Sequence, residues 1–297
     1  TLESGTGCVH TAGGHGVDDF LVCQKYPELP IVVPVDDGGY LTADAGEEFA
    51  GLRVWEANPV ILKHIKETGH LMGVQHISHQ YPHCWRCHNP IIFRATEQWF
   101  CSVDAFKEDV YKAIDSVKWQ PAWGHDRMHG MVRDRSDWCI SRQRTWGVPI
   151  PAFYCTKCGK YHISDESIAA VSDLFRKEGS DAWYKYEAND IMPKDIKCEC
   201  GASDWRKDTD IMDVWFDSGS THVAVLEERP ELSWPADLYM EGADQFRGWF
   251  QSSLLTSVAT RGVAPYRAVL SHGWVVDGEG KQMHKSAGNG VEPSEII

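Results

Sequence analysis

Two lysines and a serine lie close together in Gly278-Glu279-Gly280-Lys281-Gln282-Met283-His284-Lys285-Ser286-Ala287-Gly288-Asn289, where only Met283 and Ala287 are apolar. Ammonium groups on a mobile, glycine-bracketed loop can follow negative charge onto a leaving pyrophosphate, so the stretch suits a triphosphate. A solvated basic loop is the plainer reading of the same residues. Sulfur carries a second chemistry. Cys155-x-x-Cys158 and Cys198-x-Cys200 offer four thiolates, the number a closed tetrahedral zinc site takes. Gly159 and Gly201 follow each pair, where a knuckle turn needs a residue free of Cβ clashes. Ordinary buried thiols are the alternative. Zinc held by four thiolates has no open position and is structural.

Cys84-Trp85-Arg86-Cys87 is a further CxxC, with no partner pair left in the chain. His79, His83 and His88 are close enough in sequence for a mixed Cys/His site, and two uncoordinated thiols are the other reading. Near the start, Gly5-Thr6-Gly7-Cys8-Val9-His10-Thr11-Ala12-Gly13-Gly14-His15-Gly16-Val17-Asp18-Asp19 packs glycines among histidines and acids. Glycines let backbone approach a ligand and an aspartate can anchor an ammonium group; a glycine loop with solvated acids fits equally. Trp138 to Gly147 carries Arg142 and Arg144, which suit either phosphates or a structural pin. Asp213 to His222 sets two acids around a Trp-Phe pair before a Gly-Ser turn, and reads as a strand end with a solvated turn.

These residues need elements to hold them. At 297 residues the length suits roughly two domains. Helical periodicity is expected near Pro59–Thr68, over Phe106–Ser116 (Phe106, Val110, Ala113 and Ile114 on one face), over Met128–Arg135 and near Glu166–Lys177. A short β-type run is expected at Leu29–Val33, and an extended apolar run through Ile91–Phe93. After Asp213 the pattern becomes strand (Leu238–Met240), helix (Gln245–Thr260) and strand (Ala268–Leu270), as a parallel α/β sheet gives, with ligands at the carboxyl ends of its strands. No apolar run approaches the ~18 residues that cross a bilayer. Ten cysteines without a secretory pattern point to metal ligands, not to a disulfide framework. The formal charge of −14 argues against a broad basic nucleic-acid surface while leaving local contacts open. Thirteen tryptophans suit both cores and stacking platforms. Thr1-Leu2-Glu3 and Ser294-Glu295-Ile296-Ile297 read as the cut ends of a fragment.

Asp213–His222, Glu241–Phe250 and the lysine stretch, in that order, resemble the C-terminal half of the catalytic domain of the isoleucyl-tRNA synthetase family of class I aminoacyl-tRNA synthetases. The resemblance implies an α/β fold: half of a Rossmann-type catalytic domain, with a zinc-knuckle insertion and the end of a β-rich editing domain. On it, residues 1–75 are the editing part, 76–100 a return connection, 101–151 a catalytic segment, 152–210 the zinc insertion and 211–297 the catalytic half. The lysine stretch becomes the family's KMSKS motif, departing from it at Gln282 and His284, with Lys285 the main phosphate cation and Lys281 and Ser286 beside it. Glu241 would meet the aminoacyl-adenylate through its ribose hydroxyls, and Trp215, Gln245 and Trp249 would form the isoleucine pocket. Phe246 stands where many relatives have His. In the editing loop Asp19 would hold an α-amino group and His10 would lie by the side chain; Gly13 replaces the usual Pro, implying a looser loop. In some members the pair matching Cys84 and Cys87 joins a CxxC far upstream, so here it is half a zinc site.

The implied partners are ATP with Mg²⁺, L-isoleucine and tRNA(Ile), in a cytoplasmic monomer with structural Zn²⁺. The family's His-x-Gly-His nucleotide motif is not found, so the chain by itself is expected to be inactive. A valyl- or leucyl-type sister enzyme, or a noncatalytic zinc-stabilised RNA-binding module, are the other readings.

Overall fold

The computed structural model describes residues 5–84, 87–135 and 137–297. The expected cut end at Thr1–Glu3, and Trp85 and Arg86 within the first CxxC, lie outside the described residues. The chain divides into two units, residues 1–97 and 98–297. No helix among the described residues is long and apolar enough to cross a membrane.

The first unit contains α1 (Val17–Gln24) and α2 (Val54–Glu67). The second helix starts five residues before the expected Pro59, so that proline lies inside it. Pro59 has no N–H to give the preceding turn. Glu56 in the first turn and His64 and Lys66 in the last complement the helix dipole instead. Leu29–Val33 is not a strand. Pro30 inside the run and Pro34 just after it each lack a ladder donor, and the β character of the described residues in this unit is limited to isolated bridges such as Val35↔Leu41 and Tyr40↔Arg53. Asp36 Oδ1 closes the turn between the first pair, accepting from the Gly38 and Tyr40 amides at 2.9 Å each.

The second unit begins with β1 (Phe100–Cys101), α3 (Lys107–Ser116), β2 (Lys118–Gln120), α4 (Trp123–Arg133), β3 (Trp138–Cys139) and β4 (Ser141–Arg142). Then come β5 (Phe153–Cys155), β6 (Tyr161–His162), α5 (Asp165–Glu178), α6 (Ala182–Lys185), α7 (Ala188–Ile191) and β7 (Trp205–Lys207). It closes with β8 (Ile211–Met212), α8 (Val214–Gly219), β9 (Tyr239–Gly242), α9 (Trp249–Arg261) and β10 (Ala268–His272). Strands β2, β10 and β9 form a parallel sheet with β10 in the middle, Val269 lying opposite both Trp119 and Tyr239.

Helices α3, α4 and α9 cover a core with this sheet. Val110 and Ile114, Met128 and Val132, and Phe250 and Leu254 are buried there with Phe246 and Tyr266. Helix α4 starts five residues ahead of the expected Met128. Helix α9 was expected from Gln245, but residues 243–247 form a 3-10 turn and the α-helix begins only after Gly248. A Cβ at Gly248 would lie 2.6 Å from Gln245 Oε1 and 2.9 Å from Trp215 Cη2, so the close approach needs glycine. Gly262, in the left-handed region at φ +74°, ends α9.

A second core belongs to residues 153–205. Phe153, Val171, Trp183 and Trp205 pack together under α5, and β5 pairs antiparallel with both β6 and β7. Ser164 caps α5 by accepting from Ser167 N, with the reciprocal bond also made. Strands β4 and β8 pair Ser141 with Met212, closing the base of everything between them.

Candidate functional site

The four thiols at the tip of the small module converge. Sγ of Cys155 is 3.6 Å from that of Cys200, Cys158 is 3.5 Å from Cys198, and all four sulfurs lie within 4.8 Å of one another. Four sulfurs around one zinc at ~2.3 Å stand about 3.8 Å apart, so the cluster fits the ion. Both knuckle glycines take left-handed φ, +74° at Gly159 and +81° at Gly201, and their amides bond Cys155 O and Cys198 O. The proton distribution suits a cation. Backbone amides, Cys158 first, bring the Cys155 thiol down to about 7. At Cys198 the Cys200 amide also lowers the value, but burial and the neighbouring thiols outweigh it and hold the group at about 12. Cys155 is thus the thiol that ionises most readily, and a divalent ion can replace the protons that the sulfurs share. Lys160 Nζ pairs with Glu199 Oε2 at 2.6 Å between the knuckles.

Trp215, Gln245 and Trp249 meet around Gly248. Gln245 Oε1 accepts from the Trp249 amide at 2.9 Å, and Trp249 Nε1 donates to Ser218 O at 3.0 Å. The Trp249 ring stacks on Tyr239 with centroids 4.0 Å apart. The run after Asp213, read as a solvated turn, is instead the short helix α8. Its cap Asp213 is buried and accepts from Trp138 Nε1 at 2.9 Å and from the Trp215 amide at 3.3 Å. Gly219 lets α8 press on α9: a Cβ there would lie 2.8 Å from Ser252 backbone atoms. Glu241 lies exposed on β9, opposite Ser271 of β10. Phe246 is wholly buried, stacked on Trp119 at 5.8 Å and edge-on to Phe250 at 5.5 Å. Its side chain is core material.

A cleft of about 720 Å³ is lined by Trp215, Gly248, Asp213, Arg135, Arg142 and Gln251, among others. Glu241, Gln245, Trp249 and the lysine stretch are not among its lining residues. Arg142 pairs with Asp213 at 3.0 Å and donates to Cys139 O and Ser141 O, which makes it a structural pin. Arg144 is exposed, with one bond to Gln143 O. Arg135, absent from the sequence reading as an individual site, donates to Gln251 Oε1 at 2.6 Å, and burial lowers its pKa.

The lysine stretch is tied at its base by Asp277 and Asn289. Asp277 Oδ1 accepts from the Glu279 and Lys281 amides, and its Oδ2 accepts from Asn289 Nδ2 at 2.7 Å. Asn289 Oδ1 in turn accepts from the His284 amide at 2.9 Å. Lys281 is paired with Glu279 at 2.8 Å. Lys285 begins a 3-10 turn with Ser286, and its ammonium meets no carboxylate among the described residues.

In the first unit Asp19 Oδ2 accepts from the Ala12 amide at 3.1 Å, while His10 is exposed. A Cβ at Gly13 would lie 2.6 Å from Cys23 Sγ. Among the described residues no third His, Cys, Asp or Glu gathers with Cys84 and Cys87.

Residues 21–297 match the family model described as tRNA synthetases class I (I, L, M and V). The chain therefore belongs to the class I tRNA synthetases. Along its whole length it is 62% identical to the isoleucine–tRNA ligase of Thermoanaerobacter sp. (strain X514), covering 32% of that protein. It is 61% identical, over 298 aligned residues and 32% of the relative, to the isoleucine–tRNA ligase of Caldicellulosiruptor bescii. The chain thus spans about a third of the length of the curated relatives it matches.

Proposed function

We propose that this chain is the part of an isoleucine–tRNA ligase that carries the lysine loop, much of the amino-acid pocket and the end of the editing site. The observation that carries the reading is identity of 62% and 61%, along the whole chain, to ligases of that name. The intact enzyme joins isoleucine to ATP as an adenylate and passes the acyl group to tRNA(Ile). The carboxylate attacks the α-phosphate in line, the α–β bridging bond breaks and pyrophosphate leaves with Mg²⁺. No side-chain nucleophile is needed, and the protein positions groups and offsets charge.

Lys285 is the main cation for the leaving phosphates. Its ammonium, which meets no carboxylate among the described residues, supports that role, whereas Lys281 must first leave Glu279. Ser286 adds a hydroxyl beside it. Glu241, at the exposed end of a parallel strand, accepts from the ribose hydroxyls, and Trp215, Gln245 and Trp249 shape the isoleucine pocket. One methylene in a pocket is worth only about 1–3 kcal/mol, a limit for which isoleucine against valine is the standing example. Hydrolytic editing follows, with Asp19 on the α-amino group and His10 by the side chain. The segments 1–75, 76–100, 101–151, 152–210 and 211–297 are the corresponding divisions, and closure at β4 and β8 supports the fourth as an insertion. Bound at the four cysteines, zinc cross-links the two knuckles and leaves no position for chemistry.

The test is pyrophosphate exchange by the full-length parent with isoleucine, valine and leucine, alongside Lys285→Ala. Preference for isoleucine, with exchange falling ~10²–10³-fold in the variant, is expected. Preference for valine or leucine would move the chain to a sister enzyme. No exchange at all would leave a zinc-stabilised RNA-binding module.

A further inference from the structure

Outside these sites, three side chains on two helices aim at one point. Asp115, in the last turn of α3, places Oδ1 2.9 Å from Nε2 of His125 and 2.9 Å from Nε2 of His129, both on α4. The histidines are four residues apart, one helical turn, so they share a face. Their rings lie 4.7 Å apart, and His129 is laid flat on Tyr111 at 4.8 Å and 3°. The far nitrogen of His125, Nδ1, meets Asp126 Oδ1 at 2.9 Å. The three inward-facing ligand atoms all lie within 4.8 Å of one another.

Hydrogen bonding serves this arrangement only when His125 is doubly protonated, with one N–H for each carboxylate. A neutral imidazole has one N–H, yet His125 faces a carboxylate oxygen on each side. With its proton on Nδ1 for Asp126, Nε2 turns a lone pair toward the Asp115 oxygen. For the neutral ring, a cation between Asp115 and the two Nε2 atoms removes that conflict and takes one lone pair from each of the three ligand atoms. The outer contact to Asp126 is then the carboxylate–histidine pairing that fixes tautomer and ring orientation in metal sites.

We propose that Asp115, His125 and His129 form a second metal site, for a divalent transition-metal ion, with Asp126 positioning the His125 ring. Two imidazoles and one carboxylate suit Zn²⁺, Co²⁺ or Ni²⁺, whereas Mg²⁺ and Ca²⁺ take oxygen shells. Ligand atoms ~2.1 Å from a tetrahedral ion stand about 3.4 Å apart. The 2.9 Å contacts therefore open by about half an ångström, within reach of the Asp115 side chain, which is 61% exposed. Solvent completes the shell. The ion braces α3 against α4 across the connection that carries β2, an edge strand of the parallel sheet.

The experiment is Zn²⁺ titration of the metal-stripped chain by calorimetry, with bound metal counted after gel filtration. The wild type is expected to take two equivalents. Cys158→Ser with Cys200→Ser should remove one, and His129→Ala the other, weakening it at least ~100-fold. Asp126→Asn, at a solvent-facing position, should weaken the second equivalent ~10-fold with both ligand sets intact. Retention of the cysteine-bound equivalent and an unchanged circular dichroism spectrum show that the variants are folded. A wild type that takes one equivalent at 100 µM free Zn²⁺, or a second equivalent that survives His129→Ala, overturns the proposal. The latter result would assign that binding to other histidines.

Discussion

Asp213 caps α8 and Asp217 stands one helical turn further along it, in different surroundings. Asp213 is buried but has a guanidinium, an indole N–H and a backbone amide around it. Those donors hold its charge in place where an unpaired one would be costly. Asp217 lacks that company: burial first, and then the charge of Asp213, push its carboxyl up to about 6. With a folded pKa above the unfolded one, the native state binds the extra proton, so stability falls as pH rises from about 4 through 6. Asp217→Asn should therefore match wild type near pH 3, below both values, and exceed it by on the order of 1–2 kcal/mol at pH 7.5. Urea unfolding followed by tryptophan fluorescence at the two pH values measures this. A stability difference that does not change with pH would show that the carboxyl titrates normally in the fold.

At the scale of elements, the zinc module shows what was legible and what was not. Its cysteines announced themselves by spacing and by the glycines after them, and α5 by periodicity. The same held for α3, whose Val110, Ala113 and Ile114 are buried as read. Strand β2 was not legible, because Lys118-Trp119-Gln120 is too short to alternate and owes its place to β10. Helix α8 was hidden by Ser218, Gly219 and Ser220, residues that signal a turn; here Gly219 serves contact with Ser252. Proline misplaced the start of α2, and a Cβ clash at Gly248 broke the expected start of α9. The Asp115, His125 and His129 cluster had no local signature, since its ligands face one another only once α3 and α4 pack. In the module, an ion at the four cysteines would join two knuckles some forty residues apart, while Phe153, Val171 and Trp183 give the remainder its own core. Losing the metal should loosen the tip without unfolding everything. Cys158→Ser is expected to lose the cysteine-bound zinc and to lower the melting temperature by about 5–10 °C. Calorimetry with metal analysis reads both, and loss of the zinc with no change in melting would make the site energetically idle.

For the whole chain the two units differ in how much they bury. In residues 98–297 two apolar cores are closed, with Phe153, Phe246, Phe250, Ile114 and Leu254 all but inaccessible. In residues 5–97 the buried apolar residues among those described are Cys23, Val35 and Ala57, while Leu21, Val32, Trp55 and Ile77 remain exposed. At ~25 cal/mol per Å² of apolar surface removed from water, so small a core cannot offset the backbone entropy of nearly a hundred residues. The relatives are about three times longer than this chain, and in a protein of that size further surface is available to cover these side chains. Amide hydrogen exchange on this chain should therefore show α1 and α2 exchanging within about tenfold of an unfolded peptide, with α9 protected by several orders of magnitude. In the full-length parent the α2 amides should slow markedly. Equal protection of α2 and α9 in the 297-residue chain would mean that the first unit has a stability its burial does not account for.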